Sequence, residues 1–198
     1  MGVNAHGVFV GLTNRPAEAR RDDCRSRGLL VMDALECEDV GEVVAQMQDG
    51  LEGRYNPFNV LYADGRDTFV TSLDDRRAVT RALGPGVQIL CNRDVNDMAS
   101  PKISRIRERV GAIDLDGPFE QIFRGLAEIL ASHDDPEGTR VCIHTPDYGT
   151  RSSAIFALGG QRQRLWYADG PPCQTKYRNH SALLDELRQP AEDRGETR

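Results

Sequence analysis

The stretch Tyr148–Tyr167 restricts the fold of this chain more than any other, because it has the pattern of a β-hairpin. Two short extended segments lie on either side of Gly159 and Gly160, and a glycine pair between such segments is typical of a tight hairpin turn. Arg151 stands near the beginning of the first segment. A guanidinium group is costly to remove from water without a partner, so an arginine at the mouth of a half-buried strand is unusual. We therefore predict that Arg151 faces a functional site and that the sheets of the rest of the chain hold that site.

Strand and helix patterns alternate along the rest of the chain. Extended and alternating apolar patterns predict strands at 3–14, 58–63, 68–72, 78–83 and 87–90. Helical spacing of apolar residues predicts one helix pair after Ser26, a second pair after Ser100 and a last helical turn over 182–187. Helix pairs between runs of antiparallel strands favour an α+β fold over a doubly wound parallel sheet. We expect one domain over residues 1–188 and a disordered, charged tail over 189–198.

Composition argues against several classes of function. The formal net charge of −6 disfavours nucleic-acid binding, which needs a basic surface. No apolar run is long enough to predict a membrane span, and the first residues lack the basic and apolar regions of a secretion signal. A cytoplasmic protein with a small-molecule ligand or substrate is therefore expected.

The cysteine pattern gives no prediction of a metal site. Five cysteines are widely spaced, and the chain contains neither Cys-x-x-Cys nor His-x-x-x-His, so a structural zinc site is not expected. Cys91 and Cys142 are interpreted as small buried hydrophobic residues. His144 is interpreted as a hydrogen-bonded structural residue near a strand end.

Several short segments occur in an order that one known family shares. They are Asn4-x-His6-Gly7, Leu12-Thr13-Asn14-Arg15, Ser26-Arg27-Gly28, Tyr55-Asn56-Pro57-Phe58-Asn59, Cys91-Asn92 with Pro101-Lys102, and Tyr148-Gly149-Thr150-Arg151-Ser152. In this order they resemble the NRDE family, also called the transport and Golgi organisation protein family. The resemblance covers most of the chain, from residue 3 to about residue 167.

The resemblance implies a fold and a reaction. The family is similar to the N-terminal-nucleophile (Ntn) hydrolases, with an αββα sandwich of antiparallel sheets. In the related cysteine hydrolases an N-terminal thiolate attacks a linear amide (C–N bond), and its own α-amine acts as the base. Family members typically begin Met-Cys, whereas Gly2 stands at that position here and the Asn-Arg-Asp-Glu and Gly-Gly-Thr-Trp motifs do not precede the Leu-Thr-Asn strand. We therefore expect the domain to lack its first segment and to be truncated at the N-terminus.

The same resemblance implies three site residues. Asn14 and Asn92 match the positions of carboxamides that donate to the oxyanion, and Arg151 matches the arginine that lowers the pKa of the nucleophilic thiol. Each residue also has a structural interpretation. Both asparagines suit turns, and Arg151 could form an ion pair with Asp147 at the strand end.

Three functions remain open from the sequence. The first is hydrolysis of a linear amide by a longer form with an N-terminal cysteine, for which no cofactor is expected. The second is a non-catalytic module that binds and moves haem or acyl-CoA and related lipids, which eukaryotic members of the family suggest. The third is an inactive, truncated remnant.

Overall fold

A computed structural model of the chain describes residues 1–48, 50–133, 138–159 and 163–188. The chain divides into two compact units, Met1–Asp97 and Met98–Arg198. Both contain helices and an open antiparallel sheet, so the predicted α+β class is confirmed. The αββα sandwich remains a prediction. None of the helices in the described ranges has both the length and the apolar character needed to cross a bilayer.

The first unit is built on a five-stranded antiparallel sheet whose strands follow each other in chain order. The strands are β1 (Gly2–Val3), β2 (Phe9–Asn14), β3 (Phe58–Ala63), β4 (Thr68–Leu73) and β5 (Ala78–Ala82). The single strand predicted over 3–14 is wrong, because a turn separates β1 from β2 and the Asn4 amide donates to the Val8 carbonyl at 3.0 Å. β1 therefore pairs with β2, which lies between β1 and β3.

Two helices cover one face of this sheet and close its core. Helix α1 (Arg27–Ala34) begins at Ser26, whose side chain accepts from the Gly28 amide, and α2 (Val40–Met47) begins at Asp39, which caps the Glu42 amide. Their apolar faces pack with alternate residues of β2, β3 and β4. Helix α2 ends at Met47 with Gln48 as its C-cap, and Gly50 further along adopts a left-handed φ of 61°.

The strand predicted over 87–90 is wrong. The Ile89 amide donates to the Asn96 side-chain carbonyl at 3.0 Å, and the Ile89 carbonyl accepts from the Asn96 amide at 2.9 Å. Both backbone groups of Ile89 are thus satisfied within one loop, and Asn96 takes the left-handed conformation (φ 58°) that closes it. The result is a tight loop that carries residues 91–94.

The second unit combines three helices with a three-stranded sheet. The helices are α3 (Pro101–Gly111), α4 (Phe119–Leu130) and α5 (Ala182–Arg188), and the strands are β6 (Ser153–Ala157), β7 (Arg164–Ala168) and β8 (Arg178–Asn179). The predicted hairpin is confirmed, since β6 pairs antiparallel with β7 from Ser153↔Ala168 to Ala157↔Arg164. Gly160 in its turn and the tail over 189–198 lie outside the described residues.

Candidate functional site

Residues 91–94 lie against one end of the five-stranded sheet. Thr13 in β2 donates its hydroxyl to the Cys91 carbonyl at 2.6 Å. Asn59 in β3 donates its carboxamide to the Cys91 and Arg93 carbonyls at 3.2 and 2.8 Å, and it is fully buried. Because Thr13 and Asn59 are register partners, both reach the loop from the same face of the sheet.

The acceptor side of Asn59 completes this network. Its oxygen accepts from Ser72 Oγ at 2.8 Å and from Arg15 Nη1 at 2.9 Å. Arg15 Nη1 also forms an ion pair with Asp94 Oδ1 at 2.6 Å. Every polar atom of the Asn59 side chain therefore has a partner, which is what burial of a carboxamide requires.

Asn14 and Asn92 lie together, and the contact joins the side chain of Asn92 to the backbone of Asn14. Asn92 Nδ2 donates to the backbone carbonyl of Asn14 at 2.7 Å. Both side chains are exposed. Within the described ranges the Asn14 carboxamide has no hydrogen-bond partner of its own.

Arg151 belongs to the second unit, two residues before β6. It is exposed, so the expected desolvated guanidinium is absent at this position. Across the part of the chain that the structure describes, Arg151 forms no ion pair, either with Asp147 or with another carboxylate. Arg151 thus belongs to the second unit, whereas Asn14 and Asn92 belong to the first.

Two cysteines and two histidines of the second unit lie close together, although no metal site was expected from the sequence. The sulfurs of Cys142 and Cys173 are 3.6 Å apart. His144 Nε2 is 3.5 Å from Cys142 Sγ and 3.0 Å from Cys173 Sγ. His133 joins the group, with one ligand atom within 4.8 Å of those of His144 and Cys173. We call these four residues the Cys/His cluster.

Backbone contacts hold the members of the Cys/His cluster in place. The Cys142 amide donates to the Ser132 carbonyl at 2.8 Å, which joins the segment of Cys142 to that of His133. Ile143 is bonded to Thr150 through both of its backbone groups, at 2.9 Å each. Cys142 is fully buried, as predicted, whereas both histidines of the cluster are exposed.

One local signal in the sequence could have indicated this cluster. Cys142 and His144 are two residues apart, which places both side chains on one side of an extended backbone. Cys173 and His133 are distant along the chain and have no recognisable spacing to that pair. Only the tertiary structure brings them together.

A groove of about 650 Å³ runs between α4 and the segment 172–177. Phe123 and Tyr177 contribute aromatic walls, and Cys173 also lines it. The charged lining residues are Arg124, Lys176, Glu120 and Glu128, so positive and negative charges are present in equal number. Tyr177 donates to or accepts from Ser153 Oγ at 2.6 Å, and burial raises the pKa of its phenol. The groove thus combines aromatic walls with exposed charges of both signs.

Comparison of the chain with models of known protein families and with curated proteins gives no match.

Proposed function

We propose that the chain is the body of an NRDE-type amide hydrolase of Ntn-like fold. In this proposal a form of the protein with an N-terminal cysteine cleaves a linear amide. The thiolate attacks the carbonyl carbon, the α-amine accepts the thiol proton and passes it to the departing amine, and water then hydrolyses the thioester. Such a protein with reduced thiols fits the cytoplasm, and all five cysteines, each within the described ranges, are free of disulfides.

The observation that carries the proposal is the hydrogen bond from Asn92 to Asn14. The two residues that the resemblance assigns to the oxyanion come from segments 78 residues apart, and the structure brings them together at one end of a sheet. Asn14 keeps an unpaired, exposed carboxamide, which suits a donor to a developing negative charge. The buried Asn59 network below them gives this end of the sheet a fixed shape.

The test begins with the reading frame upstream of Met1, because a missing Met-Cys segment there ends the proposal. If the segment is present, the longer form is assayed on a panel of linear N-acyl amides beside residues 1–198. Only the longer form should release amine. Asn14→Ala and Asn92→Ala should lower its kcat by about 100- to 1000-fold, as loss of an oxyanion donor does elsewhere. Asn179→Ala is the control, and equal rates in all variants would contradict the assigned roles.

A second candidate function rests on the groove beside α4. Its aromatic walls fit a ligand with an apolar body, such as haem or a long-chain acyl-CoA, and Lys176 can pair with the anionic end of such a ligand. Under this proposal the protein binds and carries the ligand without changing it. The residues involved belong to the second unit, so this proposal does not depend on the asparagines.

Titration of residues 1–198 with haem and with palmitoyl-CoA separates the two functions. Saturable binding that Lys176→Glu weakens and Arg66→Glu leaves unchanged would support the carrier function. Arg66 is exposed in the first unit and serves as the charge-matched control. A folded protein that neither binds these ligands nor hydrolyses amides in its longer form would be the inactive remnant.

A further inference from the structure

We propose that the Cys/His cluster is a zinc site whose ligands are Cys142, Cys173, His144 and His133. This site is independent of the hydrolase function, and it shares Cys173 with the groove on which the carrier function rests. It rests on the distances that join Cys142, Cys173 and His144, and on a ligand atom of His133 that lies within 4.8 Å of those of His144 and Cys173. The chemistry of the donor atoms is the second argument.

The distances among three of the donor atoms are close to those among the ligands of one tetrahedral ion. Zinc bonds of about 2.3 Å to sulfur and about 2.0 Å to nitrogen imply tetrahedral edges of about 3.8 Å between two sulfurs and about 3.5 Å between sulfur and nitrogen. The observed edges are 3.6 Å between Cys142 and Cys173, 3.5 Å between Cys142 and His144, and 3.0 Å between Cys173 and His144. The first two edges fit one face of such a tetrahedron, and metal binding would lengthen the third, between Cys173 and His144.

His133 supplies the fourth donor. Its Nδ1 lies 3.1 Å from the Ala131 carbonyl, and a carbonyl can only accept, so Nδ1 carries the proton. The lone pair is then on Nε2, the atom that a metal would bind. A backbone carbonyl that fixes the tautomer of a ligand histidine is the usual outer partner in zinc sites.

The donor set selects the metal. Two thiolates and two imidazoles suit zinc, whereas calcium and magnesium prefer oxygen ligands. A Cys142–Cys173 disulfide is the competing use of these sulfurs, and it needs a bond of about 2.05 Å. At 3.6 Å the two sulfurs are not bonded, and His144 lies within reach of both. A redox function of Cys142 and Cys173, in which they alternate between two thiols and a disulfide, would also leave the position of His133 unexplained.

The test uses residues 1–198 purified under reducing conditions, with zinc content measured by mass spectrometry. About one zinc ion per chain is expected. Replacement by Co²⁺ should give the visible absorption of tetrahedral cobalt and the near-ultraviolet band of thiolate-to-cobalt charge transfer. A chelator should lower the Tm of the loaded protein, because a metal bound only by the folded state stabilises it.

Matched variants decide which residues bind the metal. Cys173→Ser and His144→Ala should each weaken Co²⁺ binding by at least about 100-fold, and His133→Ala should change the absorption bands and weaken binding by about 10-fold or more. Cys24→Ser and His6→Ala remove the same residue types from the first unit and should leave cobalt binding unchanged.

Two outcomes would overturn the proposal. One is a protein whose zinc content and cobalt spectrum are the same in Cys173→Ser and in Cys24→Ser. The other is a reduced, folded protein that takes up neither metal, together with a Cys142–Cys173 disulfide in the sample purified without reductant. Circular dichroism is measured for every variant, and only variants that retain the fold are compared. A loss of metal binding then cannot be a consequence of unfolding.

Discussion

Gly149 lies directly against the backbone of Ile143. A Cβ at position 149 would be 2.9 Å from the Ile143 carbonyl oxygen, closer than real Cβ atoms come to backbone. His144 and Gly149 form an antiparallel bridge in the same place. The glycine of the hairpin stretch therefore allows the chain to approach the Cys142–His144 segment closely.

Gly149→Ala should destabilise the second unit and weaken metal binding. The methyl group forces the Ile143 carbonyl to move, and with it the neighbours that carry the sulfur and imidazole ligands. We expect a loss of about 1–3 kcal/mol in the free energy of unfolding and a clear loss of Co²⁺ affinity. Gly111→Ala is the control, since a Cβ at this helical position meets open space. Urea unfolding and cobalt titration measure both effects, and equal values for the two variants would refute the explanation.

Asn59→Ala should be among the most destabilising changes in the first unit. It removes the Asn59 carboxamide from the Arg93 carbonyl and the Ser72 hydroxyl, whereas the Cys91 carbonyl keeps its hydrogen bond from Thr13. The expected cost is about 2–4 kcal/mol, from unsatisfied polar groups and a small cavity. Asn92→Ala removes one exposed hydrogen bond and should cost about 1 kcal/mol or less. Chemical denaturation measures the free energy of unfolding of both variants. A smaller loss for Asn59→Ala than for Asn92→Ala would contradict the prediction.

Asp33 should contribute stability that depends on pH. Arg25 Nη2 donates to Asp33 Oδ1 at 2.9 Å, and this hydrogen bond holds the pKa of the Asp33 carboxyl below its usual value. The contribution is fully present above the unfolded pKa of about 3.9 and is lost as the pH falls through the lower, folded pKa.

Asp33→Asn should therefore lower the urea midpoint at pH 7, and its difference from the wild type should shrink as the pH falls below about 3.9. Asp22→Asn is the control, because its side chain is 95% exposed. A difference that stays constant across this range would show that the ion pair does not stabilise the fold.

Phe123→Ala should loosen the aromatic packing of the second unit. The Phe123 ring centroid lies 4.7 Å from that of Trp166 and 5.6 Å from that of Tyr177. Its removal should cost about 2–3 kcal/mol, since the ring is only half-buried. Because Trp166 is the chain's one tryptophan, its fluorescence should shift to longer wavelength in the variant. Leu183→Ala, at a side chain that is 49% exposed, should leave the spectrum unchanged.

Local signals in the sequence predicted most of the secondary structure. Ser26 and Ser100 cap the helices that they were expected to begin, because a short side chain bonds amides only two or three residues away. The hairpin of β6 and β7 follows in the same way from two extended segments that lie close together along the chain. The strand predicted over 87–90 was wrong because both backbone groups of Ile89 form hydrogen bonds with Asn96 and not with a neighbouring strand. The alternation of apolar residues does not show that a side chain seven residues away will take these hydrogen bonds.

The sequence by itself determined the helices, the strand pairs joined by short turns and the α+β class, since each depends on contacts between near neighbours. The tertiary structure alone decided where the polar and reactive side chains meet. Thr13 reaches Cys91 across 78 residues, and Cys142 reaches Cys173 across 31. Those contacts depend on how sheet ends and loops pack, and no periodicity in the chain encodes a distance of this kind.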